Sequence, residues 1–441
     1  MKRTIEDELQ LWKNDPFRMP LLVRGARQAG KSHTIEKFGK ENFAQVVTVN
    51  FELQPLLIEC FQDLDPKKIV RELELSLKVK IKPGSTLLFF DEIQFSPQAI
   101  VSLRYFKEKL PDLHLIAAGS LLEFALVDKN INFPVGRVQS VYMRPLSFLE
   151  FLEVVNEEGL VEFISNFEWT TKISQPVHER LMELVKIYFF TGGMPGTIIR
   201  YKETKSFTTC QNYLLNLINL YRSDMAKYAT KTQYRNLQTL FDKAPETVGL
   251  RFKYTHVDPN TKSRDLQTAL DQLSWAGLVT PVFASSATGA PLQHQIKSKV
   301  QKLLYLDIGM LQTALKVDPI LFFREDLIMI HSGALAEQFV GQEFLAYANP
   351  HDRMQLYFWE REKRGSEAEV DYLLSVDGSI IPIEVKAGST GRLRSLQIFL
   401  KEKNAPYGIQ ICSAKPEKKE NVFTLPFYLI SQIQRLFTQK T

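Results

Sequence analysis

Gly25-Ala26-Arg27-Gln28-Ala29-Gly30-Lys31-Ser32 fits the pattern G-x-x-x-x-G-K-[ST] at every fixed position. The apolar run Met19-Pro20-Leu21-Leu22-Val23 before it reads as a buried strand, and Thr34-Ile35-Glu36-Lys37-Phe38 after it as the first turns of a helix. That is the context the motif requires. The two glycines let backbone N–H groups turn inward around a triphosphate, and the helix N-terminus adds its partial positive charge. Lys31 reaches the outer phosphates and Ser32 ligates magnesium. The alternative is a glycine-rich turn that binds nothing, which the strand-to-helix context disfavours. The stretch therefore predicts ATP and Mg2+ as ligands.

At about 150 residues per domain, 441 residues predict three domains with room for a small fourth. Hydrophobic residues at 44% and charged residues at 24% are ordinary globular values, which exclude a disordered or fibrous class. The most apolar stretches, around Leu87 to Phe90 and Ile187 to Phe190, fall far below the ~18 residues of a membrane span, so no membrane partner is expected. The start, Met1-Lys2-Arg3-Thr4-Ile5-Glu6-Asp7-Glu8, turns acidic where a signal peptide turns apolar, which predicts a cytoplasmic protein. Cys60, Cys210 and Cys412 lie far apart, as reduced thiols do. A net charge of +5 permits a nucleic-acid partner without arguing for one.

Residues 4–14 read as an amphipathic helix and Ala44 to Phe51 as a second strand. Thr86-Leu87-Leu88-Phe89-Phe90-Asp91-Glu92 is a strand ending in two carboxylates. Beside a phosphate loop, Asp91 suits the magnesium shell and Glu92 suits polarisation of the attacking water; otherwise the strand merely ends in a polar turn. Leu113 to Ser120 is a further buried strand. Where an extra strand separates the two nucleotide motifs, Ser120 is placed to sense the γ-phosphate; it equally suits the N-cap of a helix from Leu121, and both can hold. Phe133-Pro134-Val135-Gly136-Arg137 precedes the apolar segment Val138 to Leu146, so Arg137 is placed to reach a neighbouring subunit's nucleotide, or else is an ordinary paired surface arginine. Arg104 and Arg144 are its rivals.

From Ser147 to about Arg222 the pattern is helical, as in a lid. Gly192-Gly193-Met194-Pro195 interrupts it; Gly193 and Pro195 can close over the nucleotide, or the stretch is a plain interhelical turn. Arg200 is a second sensor candidate. Residues 226–305 read as helices followed by a hairpin, the pattern of a winged helix. Ser263 can cap a helix with Leu266, Leu270 and Leu273 on one face, leaving Arg264, Gln267, Thr268 and Gln272 outward. With Lys297, Lys299 and Lys302 of the hairpin these can touch DNA, or the unit serves subunit contacts. In the last unit Gly333 to Val340 reads as a helix, and Glu369 to Leu374 and Ile380 to Lys386 as a hairpin around Asp377-Gly378. Glu384 and Lys386 share a face and can approach Asp371, with Glu337 as a further ligand. Two carboxylates and a lysine suit magnesium-dependent phosphodiester cleavage, a nuclease fold kept for binding, or a charged hairpin face.

Leu22 to Gln28, Asp91-Glu92-Ile93-Gln94, Ala117 to Glu123, Pro145 to Phe148, Gly192 to Pro195 and Ile383-Glu384-Val385-Lys386 together resemble the prokaryotic AAA+-type P-loop ATPases with a C-terminal restriction-endonuclease-like, PD-(D/E)xK-like domain. The resemblance implies an α/β fold with a parallel P-loop core at 1–155, a helical lid at 156–225, a winged helix at 226–310 and a restriction-endonuclease-like α/β domain at 311–441. It assigns nucleotide roles to Gly30, Lys31, Ser32, Asp91 and Glu92, and nuclease-motif positions to Asp371, Glu384 and Lys386, with Val370 where that motif has proline. The function expected is an ATPase motor on duplex or branched DNA, such as four-way junctions, working as a ring, typically a hexamer. The alternatives are an ATP-regulated nuclease and a STAND-type nucleotide switch.

Overall fold

The apolar run before the glycine-rich turn forms β1 (Leu21–Arg24), and Lys31 opens α2 (Lys31–Asn42). The computed structural model of the chain describes residues 2–120, 122, 134, 136–228, 230–319, 332–362, 368–389 and 391–438; most of the helix expected from Leu121, as well as Phe133 and Val135, lie outside them. β2 (Gln45–Asn50), β3 (Thr86–Asp91), β4 (His114–Ala118) and β5 (Gln139–Tyr142) join β1 in a parallel sheet of order β2-β3-β4-β1-β5. β3 and β4 are buried along their whole length, which is why they read as unbroken apolar runs. One face packs on α1 (Ile5–Asn14) and α2 through Leu9, Trp12, Ile35 and Phe38. The other packs on α3 (Pro66–Leu77) and α4 (Pro97–Lys109) through Ile69, Leu73, Leu103 and Phe106. Because the strands run the same way, Arg24, Asn50, Asp91 and Ala118 end at one edge of the sheet, where ligands of open α/β sheets bind.

Helices follow: α5 (Phe148–Val154), α6 (Glu158–Ser165), α7 (Gln175–Thr191), α8 (Pro195–Thr204), α9 (Phe207–Tyr228), α10 (Lys231–Thr247), α11 (Tyr254–Val257) and α12 (Ser263–Trp275). Ser147 and Glu150 close a reciprocal capping box at the start of α5. α12 buries Leu266, Leu270 and Leu273, as their spacing predicts, but Lys262 rather than Ser263 stands at its N-cap.

A second sheet takes up β6 (Val279–Ser285), β7 (Ile296–Tyr305), β8 (Leu356–Glu360), β9 (Glu369–Val376), β10 (Ser379–Val385), β11 (Gly408–Cys412), β12 (Glu417–Lys419) and β13 (Val422–Pro426), in the order β12-β13-β11-β10-β9-β8-β6-β7. α13 (Ile308–Ala314), α14 (Ser332–Ala346), α15 (Arg394–Lys403) and α16 (Ile433–Phe437) accompany it. The β9–β10 turn has Asp377 at φ 47° and Gly378 at φ 77°, the left-handed pair that a two-residue hairpin loop prefers. The β6–β7 hairpin is not a free wing. β6 pairs in parallel with β8, Val282 opposite Leu356, so the expected border at 310/311 runs through one sheet. A lone two-stranded hairpin is marginal in water, and joining a larger sheet removes that weakness. One buried apolar cluster accordingly runs from Leu146 and Phe148 through Leu237 and Leu270 to Phe339 and Ile433. Phe339 of α14 lies within ring contact of Phe148, Tyr188, Phe189 and Phe427.

α14 also brings polar groups inward. The Gln338 amide accepts from Tyr305 N–H and donates to Tyr305 C=O, each at 2.8 Å, and Phe148 N–H donates to both Glu343 carboxylate oxygens at 3.1 Å. Burial pushes the Glu343 carboxyl up to about 8 from an ordinary 4.5. Between those values the folded chain holds a proton that the unfolded chain has lost, so the contribution of Glu343 to stability falls as pH rises. Glu343→Gln removes this titration: its melting temperature should fall less than that of the parent between pH 4.5 and pH 8, and an equal fall in thermal melts would contradict the assignment.

Candidate functional site

The glycine-rich turn is shaped by backbone that side chains resist. Gly25 sits at φ 144°, where a Cβ would meet the Met143 carbonyl oxygen at 2.2 Å, and Gly30 at φ 95° begins α2. Lys31 Nζ donates to the carbonyls of Gly25 and Ala26, both at 2.9 Å. Ser32 Oγ donates to Asp91 Oδ1 at 2.9 Å, and Asn50 Nδ2 to Asp91 Oδ2 at 2.9 Å. Burial raises the Asp91 carboxyl above its usual range, against these hydrogen bonds. Glu92 stands at φ 52°, and its Oε2 accepts from Gln94 Nε2 at 2.5 Å and Ser120 Oγ at 3.3 Å. β4 lies between β1 and β3, so Ser120 arrives beside the second carboxylate. A hydroxyl against a carboxylate, with a lysine folded onto the loop carbonyls at a helix N-terminus, fits MgATP: Ser32 and Asp91 would hold the metal, Lys31 and the loop N–H groups the phosphates.

The loop is fastened from several sides. Gly193 N–H donates to Asp307 Oδ2 at 2.6 Å, Leu146 N–H donates to the Gly193 carbonyl at 2.7 Å, and Pro195 lies 3.4 Å from where a Cβ of Gly30 would sit. Pro195 thus approaches the phosphate loop at Gly30, while the Gly193 backbone is bonded to Asp307 and Leu146. Arg27 ion-pairs with Asp224 at 2.8 Å, and Tyr221 Oη donates to the Arg27 carbonyl at 2.6 Å. Arg3, 3% exposed, donates to the Ala29 carbonyl at 3.0 Å and to Glu150 at 3.0 Å. Sequence reading missed Arg3, Asn50, Asp224 and Asp307. Asn50 carried a usable signal, since it ends the strand paired with β3 and stands in register with Asp91. Asp307 caps α13 through Met310 N–H, but its bond to Gly193 spans 114 residues and leaves no local mark.

Other expected residues lie elsewhere. Arg200 stacks over the Tyr213 ring at 3.9 Å and donates to the Gly196 carbonyl, so it is a lid contact. Arg137 precedes β5, at the sheet edge opposite the glycine loop, half exposed and paired with Glu108 at 3.3 Å; Arg104 pairs with the same carboxylate at 3.1 Å. Arg144 lies over the Tyr142 ring at 5.9 Å. Arg264 and Gln267 are exposed on α12 and Lys299 on β7, while Lys297 is paired with Glu362 at 2.7 Å.

In the second sheet, the Ile383–Tyr372 register sets Glu384 across from Asp371. Val385 N–H donates to Asp371 Oδ2 at 2.7 Å, and Lys386 Nζ to Glu384 Oε1 at 2.6 Å. Lys302, expected to touch DNA from the hairpin, instead points inward: its Nζ lies 3.1 Å from Glu337 Oε2 and 3.8 Å from Asp371 Oδ1, and it pairs with Glu369. Alternation along β7 turns Lys302 toward the face that α14 crosses. Burial and Asp371 push Glu337 up to about 8 and Glu384 up to about 7. Among the described residues no group of three or more His, Cys, Asp or Glu is arranged to hold a metal ion. The cluster as it stands does not fit magnesium, because an ammonium already lies among its carboxylates.

Gly25→Ala should abolish nucleotide binding and cost about 1–3 kcal/mol of stability, since the new Cβ meets backbone that cannot swing aside. Isothermal titration with ATP and a melt measure both, and binding at the parent's affinity would contradict the geometry.

Three families match parts of the chain: an AAA domain over residues 18–152, a domain of unknown function (DUF8612) over 182–320, and a second (DUF4143) over 332–429. The DUF8612 match crosses the expected border at 225/226. No curated protein matches the chain in sequence. Among solved structures, the Walker-type ATPase PABY2304 of Pyrococcus abyssi is similar at 14% identity and a TM-score of 0.44, over 70% of this chain and 94% of that one. The Aeropyrum pernix ORC1 protein in complex with DNA is similar at 13% identity and a TM-score of 0.25, over 74% and 95%. C. elegans PCH-2 is similar at 11% identity and a TM-score of 0.27, over 47% and 64%. The parallel sheet, the Lys31–Ser32–Asp91–Glu92 arrangement and the match over 18–152 together make this chain an ATPase with an AAA-type P-loop domain.

Proposed function

We propose that the chain is an ATP-driven machine that acts on DNA, with residues 25–32 as its nucleotide site and α12 with β7 as its DNA-facing surface. The observation that carries the reading is Glu92, which Gln94 and Ser120 hold in place one residue beyond Asp91. A carboxylate so fixed keeps an oxygen turned toward an incoming water and takes its proton. Bound MgATP supplies the phosphoanhydride bond whose cleavage drives the machine. Lys31 and the loop N–H groups bind and orient the phosphates, Ser32 and Asp91 hold the metal, and Ser120 reports on the outermost phosphate. Arg137, half exposed before β5 and paired with Glu108 within its own chain, is the residue this reading assigns to a neighbouring subunit's nucleotide in a ring.

The DNA reading is supported by the exposed Arg264, Gln267 and Thr268 of α12 and the exposed Lys299 of β7, side chains suited to phosphates and base edges. Movement of the lid reaches this surface through Gly193 and Asp307, because β7 leads directly into the helix that Asp307 caps.

Lys31→Ala should abolish ATP binding and turnover, and Glu92→Gln should keep binding while lowering kcat by about 10²–10⁴-fold. Steady-state hydrolysis should rise on adding single-stranded, duplex or four-way-junction DNA, and the combined Arg264→Ala and Lys299→Ala change should remove the rise and leave basal turnover intact. Turnover retained by Lys31→Ala would sink the site assignment. Turnover indifferent to every DNA form would sink the DNA role and favour a nucleotide-controlled switch.

A further inference from the structure

The acidic cluster of the second sheet draws its carboxylates from α14 (Glu337), β9 (Glu369 and Asp371) and β10 (Glu384). The counter-charge that Glu337, Glu369 and Asp371 share comes from β7. Lys302, its side chain 5% exposed, places Nζ 3.1 Å from Glu337 and 3.8 Å from Asp371, in an ion pair with Glu369, and 5.3 Å above the Phe358 ring. The remaining oxygen of Asp371 accepts the Val385 N–H, and one oxygen of Glu384 accepts Lys386 Nζ. The other, Glu384 Oε2, is buried with no hydrogen-bond partner, on a side chain 6% exposed.

A divalent ion in this place would need several oxygens at once and would sit against two ammonium groups, a repulsion that the buried setting strengthens. We propose that the Lys302 ammonium is the resident cation of this cluster, clasping the β6–β7 hairpin to α14 and β9, and that it excludes divalent metal from the Asp371–Glu384 pair. The inference does not depend on the ATPase reading. A cleavage centre at these residues requires Lys302 to leave first, and until then the second sheet holds its hairpin rather than a metal. The unpartnered Glu384 oxygen is what an ion would gain once the lysine is gone.

Calorimetric titration of Mn2+ into the full chain without nucleotide tests this, in an Asp91→Asn background that removes the carboxylate of the other site. The protein with Lys302 should show no Mn2+ binding that depends on Asp371. Lys302→Met should gain a site at least about tenfold tighter than anything in the parent, lost again on Asp371→Asn. Lys302→Gln serves as the second variant should the methionine fail to fold, each variant being verified by its melt. Binding by the Lys302 protein that disappears with Asp371→Asn would overturn the proposal. So would folded Met and Gln variants that take up no Mn2+.

Discussion

A fully buried carboxylate ties the two halves of this molecule together. Asp307 accepts the Gly193 N–H of the lid loop with one oxygen and the Met310 N–H of α13 with the other, and Gln342 of α14 approaches from the second sheet. Burial pushes its carboxyl up to about 6, so holding the charge there is costly and its hydrogen bonds must offset that cost. The pair also accounts for a glycine at 192, where φ is 62° and a Cβ would meet Asp307 Oδ1 at 2.0 Å. From Gly193 the contact runs through Leu146 and Pro195 to the phosphate loop, and from Gln342 along α14 to the acidic cluster.

Parts of this were legible in the chain because they are local. The phosphate loop lies within eight residues, the inner strands of the first sheet are short, largely apolar runs, and the β9–β10 hairpin declares itself through Asp377-Gly378. Other parts were invisible because they depend on partners far apart in sequence. Strand parity sets Lys302 on the opposite face from Lys297 and Lys299, but nothing near it in sequence shows that Glu337, Glu369 and Asp371 wait on that face while Lys299 meets solvent. The pairing of β6 with β8 joins strands more than seventy residues apart and turns an expected wing into one end of an eight-stranded sheet, with β7 as its edge strand. Arg200 illustrates the opposite failure: its position one helical step beyond the lid loop suggested a sensor, and Tyr213 captured it instead.

The shared core changes what the ATPase can do. Phe339 packs on Phe148, Tyr188 and Phe189, so α14 cannot shift without moving the helices behind the phosphate loop. Close-packed contacts of this kind pass displacements on rather than absorb them. On this account the second sheet is the output of the nucleotide site, and Lys302 keeps that output intact as one piece.

Hydrogen exchange of the Glu92→Gln protein with and without ATP and Mg2+ tests this union most directly. The account predicts that amides at 303–312 and 335–345 slow together with those at 25–32 and 192–196 when nucleotide binds. Protection confined to residues 19–155, with the second sheet and α14 unchanged, would contradict it.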